Sequence, residues 1–324
     1  MSYLEHYGLE QEPFSNAPVN RFYFNGRQHS RALLRLMHAV ENMRGLAICV
    51  GDIGTGKTTL ARRMLDSLPE EEYEAALLVI IHSGITASWL LKRIAFQLGV
   101  DNPSDEKVGL LSQVAKRLME IHEEGRKAVV ILDEAQMLQS RELMEELRGL
   151  LNIELTERKL LSFVFFGLPE IEDNLRLDAP LAQRVALKYR LKPFEAEDSQ
   201  EYIIHRLRLA GASKTPFSSE ALEAIHNHSG GTPRLINHLC DNALFEGYLA
   251  GNEVMDRDMI DRVARDLGMH EMTGLEPDTS EGRPKETVNT KGAGETAGKP
   301  KADEADLDVD LSDVDRYLDE LKSG

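Results

Sequence analysis

Residues 51–58 read GDIGTGKT, between the short apolar run Leu46–Val50 and a stretch with helical apolar spacing, Leu60–Leu68. An octet of the form G-x-x-x-x-G-K-[ST] in that setting leaves few folds open, because a buried strand must enter the turn and a helix must leave it. Gly51, Gly54 and Gly56 let the main chain curl so that its amides point inward at phosphate oxygens. The helix opening near Lys57 adds the positive end of its dipole. Lys57 is expected to reach the β- and γ-phosphates, and Thr58 to offer a hydroxyl to Mg2+. Asp52, Ile53, Thr55 and Thr59 complete the candidate phosphate-binding stretch.

A second motif follows some 75 residues later, AVVILDEAQ at 128–136. Five apolar residues form a buried strand, and Asp133 emerges at its carboxyl end, where ligands of open α/β sheets bind. Asp133 is the candidate second Mg2+ residue with Thr58. Glu134, next to it, is suited to take a proton from an attacking water. An acidic pair after an apolar strand is weak evidence alone; behind a phosphate loop it points to hydrolysis rather than nucleotide storage.

Strand-like runs at Ala75–Ile81 and Leu160–Phe166 alternate with helical patterns at Ser88–Leu98, Val108–His122 and Arg141–Leu151. Alternation of this kind predicts an α/β fold, a parallel sheet flanked by helices. Beyond about Glu197 the strand signals stop, and four helices are expected at Ser199–Leu209, Ser219–Ser229, Pro233–Gly247 and Asp256–Leu267. Residues 274–302 hold almost no large apolar side chains, and such a segment cannot bury enough surface to offset its ordering entropy. In the last stretch Leu307, Leu311, Val314, Leu318 and Leu321 fall on one helical stripe, with acids around it. The expected organisation is a P-loop domain at 1–195, a small all-helical domain at 196–268, a disordered linker at 269–303 and an acidic amphipathic helix at 304–324. That last helix is short enough to need a surface, in cis or on a protein partner.

Charge narrows the partners. With 55 acidic and 38 basic residues the formal charge is −17, which repels nucleic acid and anionic membrane unless bases cluster locally. Two short clusters exist, Arg62-Arg63 and Arg206–Arg208. No apolar stretch approaches the roughly 18 residues of a membrane helix, so a cytoplasmic location is expected, with recruitment to the inner membrane left to a partner. Cys49 and Cys240 cannot make a disulfide framework and read as buried thiols. His82, His205, His226, His228 and His238 form no metal-ligand pattern. Tyr7, Phe14 and Phe22 have two readings, core packing or cover for a nucleotide base, of which core packing is the commoner fate.

Phosphoryl transfer also needs positive charge near the reacting phosphates. Arg184 in LAQRVALKYRL and Arg234 in GGTPRLINHLC are the candidates; Arg234 opens a helix behind Pro233, where a cation is better placed facing an anion than alone. Taken in order, the phosphate loop, the DE pair, the QR segment and the G-x-P-R helix resemble an AAA+ ATPase. With YGLEQEPFSNAPVNRFYF, FFGLPEIEDNL and YIIHRLRLAG added, residues 3–268 resemble the ExeA/GspA family, the general secretion pathway protein A ATPases. The resemblance implies ATP and Mg2+ as ligands, Lys57 and Thr58 in the Walker A role, and Asp133 and Glu134 in the Walker B role. It implies that Arg234 is the sensor-2 arginine of a helical lid. It also implies that Arg184 is an arginine finger acting on a neighbouring subunit, hence a homo-oligomer. At the sensor-1 place the family commonly has Gly-Gln-Pro, whereas this chain has Gly167-Leu168-Pro169, and a leucine side chain cannot orient water. Family members typically continue into a membrane helix and a peptidoglycan-binding domain; here the linker and acidic helix follow instead. The expected activity is Mg2+-dependent ATP hydrolysis driving assembly in a secretion, pilus or other envelope-associated machine. Two other readings stand beside it: a DNA-handling AAA+ protein of the transposition-regulator type, and a nucleotide-gated scaffold with little turnover.

Overall fold

The structure is a computed structural model that describes residues 2–17, 20–155 and 158–269. Five parallel strands, β1 (Leu46–Gly51), β2 (Tyr73–Val79), β3 (Lys127–Asp133), β4 (Leu161–Gly167) and β5 (Val185–Leu191), pair in the order β2-β3-β4-β1-β5. The interior strands are apolar on both sides because helices cover both faces. Leu46, Ile48 and Val50 of β1 and Val130 and Leu132 of β3 point to one face. There they meet α4 (Ala87–Gln97), α5 (Lys107–Glu123) and α6 (Arg141–Leu151). Ala47, Cys49, Val129 and Ile131 point to the other, against α2 (Arg27–Glu41) and α3 (Lys57–Asp66).

The strands and helices expected from the apolar runs are all present, with bounds shifted by a few residues. Among the elements that the sequence pattern did not reveal, two bear on the site. One is α2, whose Leu33, Leu36, Met37 and Val40 pack under β1. The other is β5, an edge strand: Ala186, Lys188 and Arg190 are exposed while Val185, Leu187 and Tyr189 are half-covered. Such an alternating strand has no continuous apolar run to reveal it. Arg184 therefore precedes a fifth strand, where the sequence reading set it directly before the helical part.

Short helices α7 (Ile171–Leu175) and α8 (Ala179–Ala182) join β4 to β5. After β5 come α9 (Ala196–Leu209), α10 (Ser219–Ser229), α11 (Pro233–Ala250) and α12 (Arg257–Asp266), which share a separate apolar core. The N-terminal segment, including α1 (Tyr3–His6), belongs to that core and not to the sheet. Leu9, Phe14 and Phe22 are buried in it, and Tyr7 packs against it. The Glu10 amide donates to the Ala210 carbonyl at 2.8 Å, and Gln11 Nε2 to that of Leu209 at 2.8 Å. The expected linker and acidic helix from residue 270 onward, with Leu307, Leu311, Val314, Leu318 and Leu321, lie outside the described residues. Among the described residues no helix is long and apolar enough to cross a membrane.

Candidate active site

The carboxyl ends of β1, β3 and β4 and the start of α11 surround a cavity of about 500 Å3. Its floor is the turn after β1. Gly56 is the N-cap of α3 with φ +96°, and the helix has neither a capping side chain nor an acid in its first turn, so its first amides are free for an anion. Lys57 is 7% exposed and its Nζ donates to the Gly51 and Asp52 carbonyls, each at 2.8 Å. Thr55 Oγ1 also donates to the Asp52 carbonyl, at 2.8 Å. Gly51, Asp52 and Thr55 thus shape the turn from behind, while Ile53, Gly54, Gly56, Lys57, Thr58 and Thr59 line the cavity.

Thr58 Oγ1 donates to Asp133 Oδ2 at 2.7 Å, joining the two motifs across 75 residues of chain. Asp133 is 1% exposed; its other oxygen accepts the Glu134 amide at 2.9 Å. Burial pushes the Asp133 carboxyl above its usual range, against the opposing pull of the Thr58 and Glu134 amide hydrogen bonds. Burial likewise lowers the Lys57 ammonium, while Glu134 and Asp133 oppose that shift. A threonine hydroxyl beside a carboxylate is a hard-oxygen pair that suits Mg2+, so these residues fit the implied ion.

Glu134 lines the cavity from a left-handed backbone conformation, φ +56°. Nearby Gln136 is a functional residue that the sequence pattern does not single out, since a glutamine two positions after an acid marks no chemistry by itself. Gln136 Nε2 donates to Glu134 Oε2 at 2.6 Å, and Gln136 Oε1 accepts the Leu168 amide at 3.0 Å. Leu168 also lines the cavity. His29 of α2 is a second residue that sequence reasoning missed. It is 4% exposed, its Nε2 lies 3.0 Å from the Thr55 carbonyl, and burial lowers it to about 4. A lone histidine in an unnoticed helix gave no signal.

The helical part closes the cavity. The Arg234 amide donates to the Gly54 carbonyl at 3.3 Å, and a Cβ on Gly54 would stand 2.9 Å from Arg234 Cβ. Arg234 itself faces the cavity. At the far end, Phe22, Tyr23, Phe194 and Tyr202 form an aromatic wall, so Phe22 serves both core and cavity, whereas Phe14 belongs to the core alone. Arg206 lines the same end of the cavity and is 5% exposed. It donates to the Pro13 carbonyl at 2.6 Å, the Ser15 carbonyl at 2.8 Å and Tyr202 Oη at 2.7 Å. The expected basic cluster Arg206–Arg208 is thereby corrected: Arg206 is an internal tie, not a surface charge.

Arg184 is not in the cavity. Val185 pairs with Leu46, the first residue of β1, so Arg184 sits at the opposite end of the sheet from the phosphate loop. Six strand residues at ~3.3 Å each separate the two by roughly 20 Å. His226, His228 and His205 are engaged with Ser199, Asp261 and the Tyr23 carbonyl. Among the described residues no three or more His, Cys, Asp or Glu side chains are grouped to hold a metal.

Residues 40–175 match the AAA domain family. General secretion pathway protein A of Aeromonas hydrophila is 36% identical over 254 residues, covering 77% of this chain; the chain spans about half of that relative, 46%. Among solved structures, the ORC2 protein of Aeropyrum pernix superposes with a TM-score of 0.60 at 17% identity, covering 82% of this chain and 75% of that one. Drosophila ORC bound to DNA gives 0.62 at 15%, covering 82% and 66%. A Walker-type ATPase of Pyrococcus abyssi gives 0.56 at 19%, covering 81% and 79%. Those likenesses show a common fold. The sequence relationship shows more: the chain belongs to the general secretion pathway protein A family, and its residues 40–175 to the AAA domain family.

Proposed function

We propose that this chain binds ATP with Mg2+ at the cavity and that hydrolysis there drives assembly and remodelling of a partner in a secretion, pilus or other envelope-associated machine. The observation that carries the reading is the Thr58–Asp133 hydrogen bond at 2.7 Å, which brings the loop and the acidic strand end to one point. Thr58 and Asp133 would hold the ion, whose charge when bound helps neutralise the phosphates. Lys57 and the α3 amides bind the phosphates. Glu134 takes a proton from water as that oxygen bonds to the γ-phosphorus. The bond from the γ-phosphorus to the bridging oxygen breaks, and its electron pair stays on ADP. Arg234 meets the terminal phosphate from the helical side, so the lid and the phosphate loop respond to the same group.

Arg184, about 20 Å away along the sheet, can serve a reaction only in a neighbouring copy, which supports a homo-oligomer with shared sites. The apolar positions Leu307, Leu311, Val314, Leu318 and Leu321 are a second candidate contact, to a protein partner. The DNA-handling reading is the alternative; with Arg206 buried it keeps one of its two basic clusters.

The test is Mg2+-dependent phosphate release by the full chain and by two inactive variants mixed together. Lys57→Ala lacks a competent site but keeps its finger; Arg184→Ala has a site but no finger. Each alone should be silent and the mixture should recover part of the rate. A wild-type protein without turnover refutes the hydrolase reading; active Arg184→Ala, or a silent mixture of well-folded variants, refutes the shared site.

A further inference from the structure

Leu168 leaves a gap in the chemistry just described: its side chain at the end of β4 has nothing with which to orient a water or the Glu134 carboxylate. The structure fills that place from another direction. Gln136 is 5% exposed and wedged between the acid and the strand end. Its Oε1 accepts the Leu168 amide at 3.0 Å and its Nε2 donates to Glu134 Oε2 at 2.6 Å. Its main-chain carbonyl accepts Asn174 Nδ2 at 2.8 Å. A Cβ on Gly167 would stand 2.9 Å from Gln136 Oε1, so the strand end lies close against the amide.

The amide has one usable orientation. Turned over, its oxygen would face the carboxylate and its NH2 group would face the Leu168 N–H, an unfavourable pairing at both ends. The peptide N–H after β4 therefore fixes Gln136, and Gln136 fixes one oxygen of Glu134. The other carboxylate oxygen remains for the water. Glu134 needs such a tie, because its left-handed backbone holds the residue at the cavity without fixing the side chain's torsions.

We propose that Gln136 is the positioning residue for Glu134, relaying the Leu168 main-chain amide to the general base in place of a polar side chain at position 168. The proposal rests on the hydrolase reading above. It separates the role of the strand end from the chemistry of its side chain: any non-proline residue at 168 brings the same donor, and the sequence constraint moves to 136.

The test uses the full chain as wild type, Gln136→Met, Glu134→Gln and the double variant, with phosphate release for kcat and KM and the fluorescent analogue mant-ATP for binding. Gln136→Met keeps volume and removes both hydrogen bonds. Its kcat should fall about 10- to 100-fold, the scale of a mispositioned reacting group, with the mant-ATP Kd within about two-fold of wild type. Because Gln136 acts through Glu134, the double variant should be no slower than Glu134→Gln alone. Should Gln136→Met fold poorly, Gln136→Glu retains an acceptor for Leu168 but has no donor for Glu134 at neutral pH, and the same loss of kcat is expected. A kcat within two-fold of wild type in a folded variant overturns the proposal, as does a Kd that worsens in step with kcat or a further fall in the double variant. If wild type turns over and Glu134→Gln stops it while the Gln136 variants run normally, this inference alone fails; if wild type is as silent as Glu134→Gln, the hydrolase reading fails with it.

Discussion

Gly230 and Gly231 precede α11, the helix that carries Arg234, and an alanine at each measures how the helical part is set on the turn after β1. Both have positive φ, +53° and +71°. A Cβ on Gly230 would meet nothing within 4 Å. A Cβ on Gly231 would stand 2.0 Å from the Phe194 carbonyl oxygen, with the Phe194 carbonyl carbon at 2.9 Å and its nitrogen at 3.1 Å, all main-chain atoms. The Phe194 amide also donates to the Gly231 carbonyl at 2.8 Å, so the two strands of chain cannot part without losing a hydrogen bond. Gly230→Ala should therefore cost only the left-handed penalty, about 1–2 kcal/mol. Gly231→Ala carries the same penalty plus an overpacking cost of about 1–3 kcal/mol or more, because a backbone shift of over 1 Å is needed. At roughly 2–4 °C per kcal/mol for a protein near this size, the first variant should melt a few degrees below wild type and the second roughly 10 °C below. The shift would also move Arg234 off Gly54, so mant-ATP binding should weaken in Gly231→Ala and hold in Gly230→Ala. Differential scanning fluorimetry and a mant-ATP titration on the pair decide the matter. Equal melting temperatures and equal affinities would refute the close approach of Phe194 to Gly231.

Two further outcomes follow from buried groups. His29 is held neutral, about 4 against 6.5 when exposed, so the unfolded chain binds the extra proton first as pH drops. Stability should then decline from about pH 6.5 toward pH 4, by about 3 kcal/mol from this group at ~1.36 kcal/mol per unit. His29→Gln should flatten that part of the curve in urea titrations taken between pH 7 and 4.5; an unchanged slope would show that His29 is not the responsible group. Arg206→Met should unpin the N-terminal segment by removing its bonds to Pro13 and Ser15. Each orphaned buried acceptor costs about 1–3 kcal/mol, and limited proteolysis should cut within residues 11–17 faster than in wild type; equal protection would rule out the tie.

What the chain dictates by itself is what lies close together along it. The glycine turn, the helix after it, the apolar runs that become interior strands and the acidic pair at the end of β3 are local patterns. Each reports its own backbone and burial, so the strand-turn-helix of GDIGTGKT and the acidic strand end of ILDEA were legible in the sequence. The structure decided what depends on pairing across distance. Thr58 meets Asp133, Gln136 meets Leu168, Arg234 meets Gly54, and Leu9, Phe14 and Phe22 join the core of the helical part, not the sheet. Arg206 shows the limit clearly: in sequence it stands in a basic run, and only the packing of α9 against the N-terminal segment turns it inward onto carbonyls. Edge strand β5 was hidden for a related reason, since exposure of half its residues erases the apolar run that marks its neighbours. Side chains far apart in one sequence carry no record of which of them will touch; that is settled when two layers of helices close on a twisted sheet and leave one arrangement that fills the space.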